Sequence, residues 1–173
     1  MAMMKHGPNG RSGLGRFAGL LALAAMAMLS ACAATPGEVD VAGTRQISVD
    51  RAGALAEINA FRAGHGLGPV HFDAVLDKAA ERQARAMAAR GRLSHTVDGD
   101  LSSRMQAYGY RRSAGAENIG WNYRSTSAVM SGWENSPGHR ENLLNPRVSE
   151  AGFAAATGAN GEPYWALILG APR

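Results

Sequence analysis

The side chains able to do chemistry in this 173-residue chain are few and widely spaced. Cys32 is the single cysteine, and the histidines are His6, His65, His71, His95 and His139. An imidazole can carry a proton near neutral pH or ligate a divalent cation, and a carboxylate can act as a base. His95 stands beside Ser94, which reads as a loop hydrogen-bonder rather than a nucleophile. Glu117 opens an apolar stretch, and His139 falls in the first turn of a helix opened by Ser136-Pro137. His95 and His139 are 44 residues apart, so spacing alone does not bring them together. No His-Glu-x-x-His helix and no Gly-x-Ser-x-Gly elbow occurs. His65 and His71 lie outside any motif and read as solvated or locally satisfied loop residues.

The first 31 residues predict a removable export signal. Lys5, Arg11 and Arg16 precede an apolar run from Phe17 to Leu29, shorter than the roughly 20 residues of a membrane span. The run closes Leu29-Ser30-Ala31-Cys32, which resembles the lipobox of bacterial lipoproteins, and this makes Cys32 the expected lipidation site. The other reading is an ordinary secretory signal with an incidental cysteine. Ala33 lacks the aspartate that retains some lipoproteins at the inner membrane, so the expected location is the outer membrane or the outer face of the cytoplasmic membrane. A lone cysteine closes no intramolecular disulfide, and the fold must rest on its core.

From Cys32 onward the chain carries 15 basic and 14 acidic residues, so the formal +4 belongs mostly to the leader. Nucleic-acid binding needs a clustered basic surface, and this near-neutral balance argues against it. Residues 32–49, with Pro36, Gly37 and Gly43 and no period, predict a flexible tether, leaving 50–173 as one domain.

The elements of that domain can be placed from caps and periodicity. Asp50 caps a helix over Arg51 to Ala63 ended by Gly64, with Leu55, Ile58 and Phe61 or Arg62 inward. Asp73 caps a second helix whose Leu76, Ala80, Ala84 and Met87 make one face, ended by Gly91. Leu101, Met105 and Tyr108 mark a short third helix. Ser125 or Thr126 caps a fourth, and Ser136 with Pro137 starts a fifth. Glu117 to Trp121 predicts a strand, and Gly152 to Thr157 with Tyr164 to Leu169 a hairpin. Asn118 is expected to tighten a turn after Glu117. Helices followed by a hairpin argue an α+β layered domain with an antiparallel sheet.

Three segments in order resemble the signature of the CAP superfamily, the cysteine-rich secretory, antigen 5 and pathogenesis-related proteins, also known as the SCP domain. They are Leu93-Ser94-His95-Thr96, Ala116-Glu117-Asn118-Ile119-Gly120, and the run from Gly132-Trp133-Glu134-Asn135-Ser136-Pro137-Gly138-His139 to Asn145-Pro146. Gly152-Phe153-Ala154 with Tyr164-Trp165-Ala166-Leu167 is similar to the closing hairpin. The resemblance implies a three-layer α-β-α sandwich with a central antiparallel sheet and a cleft where the signature segments converge. It implies that His95, Glu117 and His139 line the cleft, with Ser136 where animal members carry a second glutamate. Glu134 is one residue from Trp133, about 100° round a helix, and is expected to point elsewhere.

Two histidines with a carboxylate or waters would form an open coordination site for zinc or another divalent cation, His95 and His139 being its metal ligands. The alternative is that both are hydrogen-bonded residues keeping the layers in register. Three functions follow for a membrane-anchored CAP domain. The first is a non-catalytic binding module taking a small apolar, lipidic or cell-wall-derived ligand, a divalent cation, or both. The second is a hydrolase of peptide or envelope polymer with Glu117 as general base. The third is a structural or protein-partner module. An apolar groove needs exposed aromatics such as Trp121 and Tyr123, whereas a cation site needs only His95, His139 and Glu117.

Overall fold

The computed structural model describes residues 38–173. The export signal and Cys32 lie outside the described residues. No helix among them is long and apolar enough to cross a membrane.

The sheet is the middle layer. Its strands are β1 (Arg45–Ile47), β2 (His71–Phe72), β3 (Arg112–Trp121), β4 (Glu150–Thr157) and β5 (Pro163–Pro172). They run in the order β1-β4-β5-β3, antiparallel throughout except for the two-residue β2, which pairs parallel with β4. Alternation along each strand supplies both faces with apolar side chains. Phe153, Ala155, Trp165, Leu167 and Leu169 face one way, and Ala154, Ala156, Tyr164, Ala166 and Ile168 face the other.

Each face is covered by helices. The first set packs with α1 (Arg51–Gly64), α4 (Thr126–Asn135) and α5 (Pro137–Leu143), through Ala54, Ile58, Val129, Met130, Trp133 and Leu143. The second packs with α2 (Ala74–Arg90) and α3 (Leu101–Ala107), through Leu76, Ala80, Ala84, Met87 and Met105. This is the three-layer α-β-α sandwich with a central antiparallel sheet. Asp50, Asp73, Asp100 and Ser125 cap their helices with side-chain oxygens, and Gly91 closes α2 in the left-handed region at φ 56°.

The second helix lies unusually close to the sheet. A Cβ on Gly152 would fall 2.1 Å from the Leu76 carbonyl carbon, so β4 accepts α2 only where it carries no side chain. The alanine-rich face of α2 makes the same approach possible from the other side.

The domain begins earlier than Asp50. Residues 38–49, expected to belong to a flexible tether, lie against the domain. Val39 is 2% exposed, and its N–H donates to Asp98 while its carbonyl accepts from Arg82. Arg85 donates to the Val41 carbonyl and to Thr44 Oγ1, and β1 then extends the sheet beside β4. A three-residue strand has no periodicity to read, which is why the sequence pattern missed it.

Arg62 is the more inward of the two alternatives on α1. It is 2% exposed and donates to the carbonyls of Gly68, Leu143, Asn145 and Val148, tying α1 to the chain between α5 and β4.

Overpacking at a well-filled contact costs about 1–3 kcal/mol, and more when backbone is the obstacle. Gly152→Ala is therefore expected to lower the urea unfolding free energy by about 3 kcal/mol or more. An unchanged midpoint in chemical denaturation would contradict the close α2 packing.

Candidate functional site: a buried ion pair behind His95

Strand alternation divides β3 between the two layers. Ala114 and Ala116 face α1, α4 and α5, whereas Ile119 belongs to the α2 and α3 side. Glu117 follows the odd positions and meets Arg104 of α3, its Oε2 accepting from the guanidinium. The two side chains are 3% and 2% exposed. The other oxygen, Oε1, lies 2.8 Å from His95 Nδ1. A carboxylate oxygen accepts, so a neutral His95 donates from Nδ1 and leaves Nε2 with a free lone pair. The His95 side chain is 55% exposed.

The loop carrying His95 is fixed through its backbone. Arg104 donates to the carbonyls of His95, at 2.9 Å, and Gly99, and Gln83 of α2 donates to Ser94 O at 2.8 Å. Ser94 Oγ accepts from Thr96 N–H, as expected of a loop hydrogen-bonder. Arg104 thus holds both the imidazole's partner and the imidazole's own backbone.

His139 arrives from the opposite layer on α5. Asn118, on the same strand as Glu117 but facing α5, donates to His139 O at 3.0 Å. Asn142 donates to Asn118 Oδ1 at 2.8 Å and to Glu117 O. Asn118 was expected to tighten a turn. It instead sits within a ten-residue strand, fully buried, and joins that strand to the helix. Burial pushes the His139 imidazole below its ordinary value of 6.5, and the charge of His95 pushes it further in the same direction.

Ser136 stands at the N-cap position of α5, half-buried, and its hydroxyl makes no capping hydrogen bond. Glu134 faces Glu57 rather than the histidines, and burial followed by the Glu57 charge pushes its carboxyl up. Trp133 is core, 1% exposed, its indole N–H donating to Ile119 O. Tyr123 packs inward against the core while Trp121 is 46% exposed, so the two aromatics do not form a shared exposed face. A cavity of about 780 Å³ lies behind α5 and is lined by Asn135, Arg140, Asn142 and Arg147, but not by His95, Glu117 or His139.

Residues 55–169 match the family described as CAP, the cysteine-rich secretory protein family. The chain belongs to the CAP family. Two Bacillus subtilis (strain 168) proteins, YkwD and the membrane protein YlbC, are each 31% identical over 96 residues, 54% of this chain. The matches span only 37% and 28% of those two proteins. An outer surface protein from Borrelia burgdorferi shares the fold with a TM-score of 0.68 at 20% identity, covering 75% of this chain and 98% of that one. An extracellular SCP-domain protein from Bacillus anthracis str. Ames has a TM-score of 0.57 at 26% identity, covering 68% of this chain and 40% of that one.

Within this CAP domain, a metal would find two imidazoles and little else. Both Glu117 oxygens are engaged, and among the described residues no three His, Cys, Asp or Glu side chains are arranged to hold an ion. Glu117 orients His95 through Nδ1, an arrangement common behind metal-ligating histidines. Arg104 is the functional residue that sequence reasoning missed. Its signal was available: it sits beside Leu101 and Met105 on the apolar side of α3, where an arginine is buried only if paired.

The lowered His139 value has a defined consequence for stability. The folded state favours the neutral imidazole, so this contribution is fully present above 6.5 and is lost as pH falls through the lower folded value. An NMR titration is expected to place the His139 midpoint below 6.5, and His139→Gln is expected to flatten the loss of unfolding free energy below that pH. A midpoint at or above 6.5 would contradict the burial of this imidazole.

Proposed function

We propose that the protein is an exported, lipid-anchored CAP-domain binding module, whose polar cleft takes a divalent cation or a cell-wall-derived ligand through His95 and His139. The observation that carries this reading is the state of Glu117. Its two oxygens are spent on Arg104 and His95, and the group is nearly sealed from solvent. A general base must have a lone pair within reach of the proton it removes. Here Glu117 is nearly sealed from water, so it serves as a support for His95 rather than as the base itself. The same support leaves His95 Nε2 poised as a ligand.

The anchor is Cys32, the only cysteine, preceded by a short apolar run and a basic start. Export to the envelope fits the names of the relatives, which include an outer surface protein and an extracellular protein.

The test is zinc calorimetry near neutral pH on the full chain carrying Cys32→Ser, beside His95→Ala and His139→Ala. The Cys32→Ser protein itself is expected in the soluble rather than the membrane fraction. One-to-one zinc binding lost in both histidine variants is expected. Binding that survives either substitution, or hydrolysis of envelope fragments abolished by Glu117→Gln, would overturn the reading.

A further inference from the structure

The open end of the β3–β5 ladder gathers three arginines that no acidic side chain among the described residues neutralises. Arg111 and Arg173 are joined across the strands, the Arg173 N–H donating to Arg111 O at 2.9 Å, and Arg112 pairs in register with Pro172. Among the described residues, none of Arg111, Arg112 and Arg173 makes an ion pair, the ion-paired arginines being Arg51, Arg82, Arg85 and Arg104. Like charges facing each other across a ladder are destabilising. With basic and acidic residues almost equal in number from Cys32 onward, such a concentration is not the surplus of a basic protein.

The arginines also border a built concavity. They line a cavity of about 420 Å³ together with Ser102 and Gln106 of α3, Tyr110 and Ser113. Among the described residues, no acidic side chain lines it. Glu150, the carboxylate nearest this end, lies behind Tyr110, whose hydroxyl it accepts from, and is not part of the lining. The walls are held by backbone contacts: Ser113 Oγ donates to the carbonyls of Ala171 and Pro172, and the register shift between Arg112 and Ala114 turns this part of the strand. The Arg112 stem is fixed over Gly115, where an added Cβ would lie 3.3 Å from its Cδ.

From these observations we propose that this cavity is a second binding site, specific for phosphate-type anions. The guanidinium fork suits tetrahedral oxyanions, and the donors of Ser102 and Gln106 stand on the facing helix. The site is separate from the histidine cleft. Glu117 lies five residues beyond Arg112 on β3, about 17 Å along the strand at the rise of a β-strand. The two sites share α3, whose Arg104 serves one and whose Ser102 and Gln106 serve the other.

The test uses the full chain carrying Cys32→Ser. Thermal unfolding is followed in inorganic phosphate and in chloride at equal ionic strength, and flotation is measured with phosphatidylglycerol or phosphatidylcholine vesicles. Phosphate is expected to raise the midpoint relative to chloride. In Arg111→Gln/Arg173→Gln that difference is lost, with affinity falling about tenfold for each charge-assisted contact removed. Without phosphate, the double variant is expected to be at least as stable as the parent, since it removes the cross-strand repulsion. A preference for phosphatidylglycerol that disappears in the double variant assigns the anion to a lipid headgroup. A phosphate response without vesicle preference assigns it to a soluble phosphate. Equal midpoints in the two salts with no vesicle preference overturn the proposal, as does any response that persists in the double variant.

Discussion

Arg104 and Glu117 face each other with almost no access to water, and the placement of His95 depends on that contact. Desolvating two charges costs several kcal/mol each, and the contact offsets this only while both partners are present. Removing one partner of such a pair typically costs about 3–5 kcal/mol. The pair does more than satisfy itself. Arg104 also holds the backbone at His95 and Gly99, and Glu117 orients the His95 ring. A position 55% exposed is thereby given a defined geometry by groups that are not exposed at all.

The location of the pair follows from the sheet order. β3 is an edge strand, so helices from both outer layers can reach its side chains and its free margin. Glu117 engages α3 on one face, and Asn118 engages α5 on the other. Adjacent residues of one strand therefore tie the two histidine-bearing segments to a common support. Asn142 closes the arrangement by bonding to both Asn118 and the Glu117 carbonyl. The buried amides at this edge link α5 to the sheet in a single register, in which His139 carries a lowered affinity for protons.

Most of the layer plan was legible in the sequence. Helix caps at Asp50, Asp73 and Ser125, the left-handed Gly91 and the closing hairpin all stand where cap chemistry and alternation placed them. The failures share a cause. The strand of residues 45–47, the strand position of Asn118 and the role of Arg104 are all decided by partners distant in the chain. Local pattern carries no information about a partner, and it is least informative for short strands and for polar residues buried by pairing. The likeness of the signature segments to CAP proteins pointed to His95, Glu117 and His139; the structure joins His95 to Glu117 and ties the His139 backbone to the adjacent Asn118. The likeness did not show that Glu117 would be paired with a buried arginine.

The most direct test of this account is the tautomer of His95, read from the ¹⁵N chemical shifts and ring correlations of its imidazole at a pH where it is neutral. The account predicts protonation at Nδ1, bonded to Glu117, with Nε2 unprotonated and free to ligate. A ring protonated at Nε2 would mean that Glu117 does not hold His95 through Nδ1, and the support role assigned to the Arg104–Glu117 pair would be wrong.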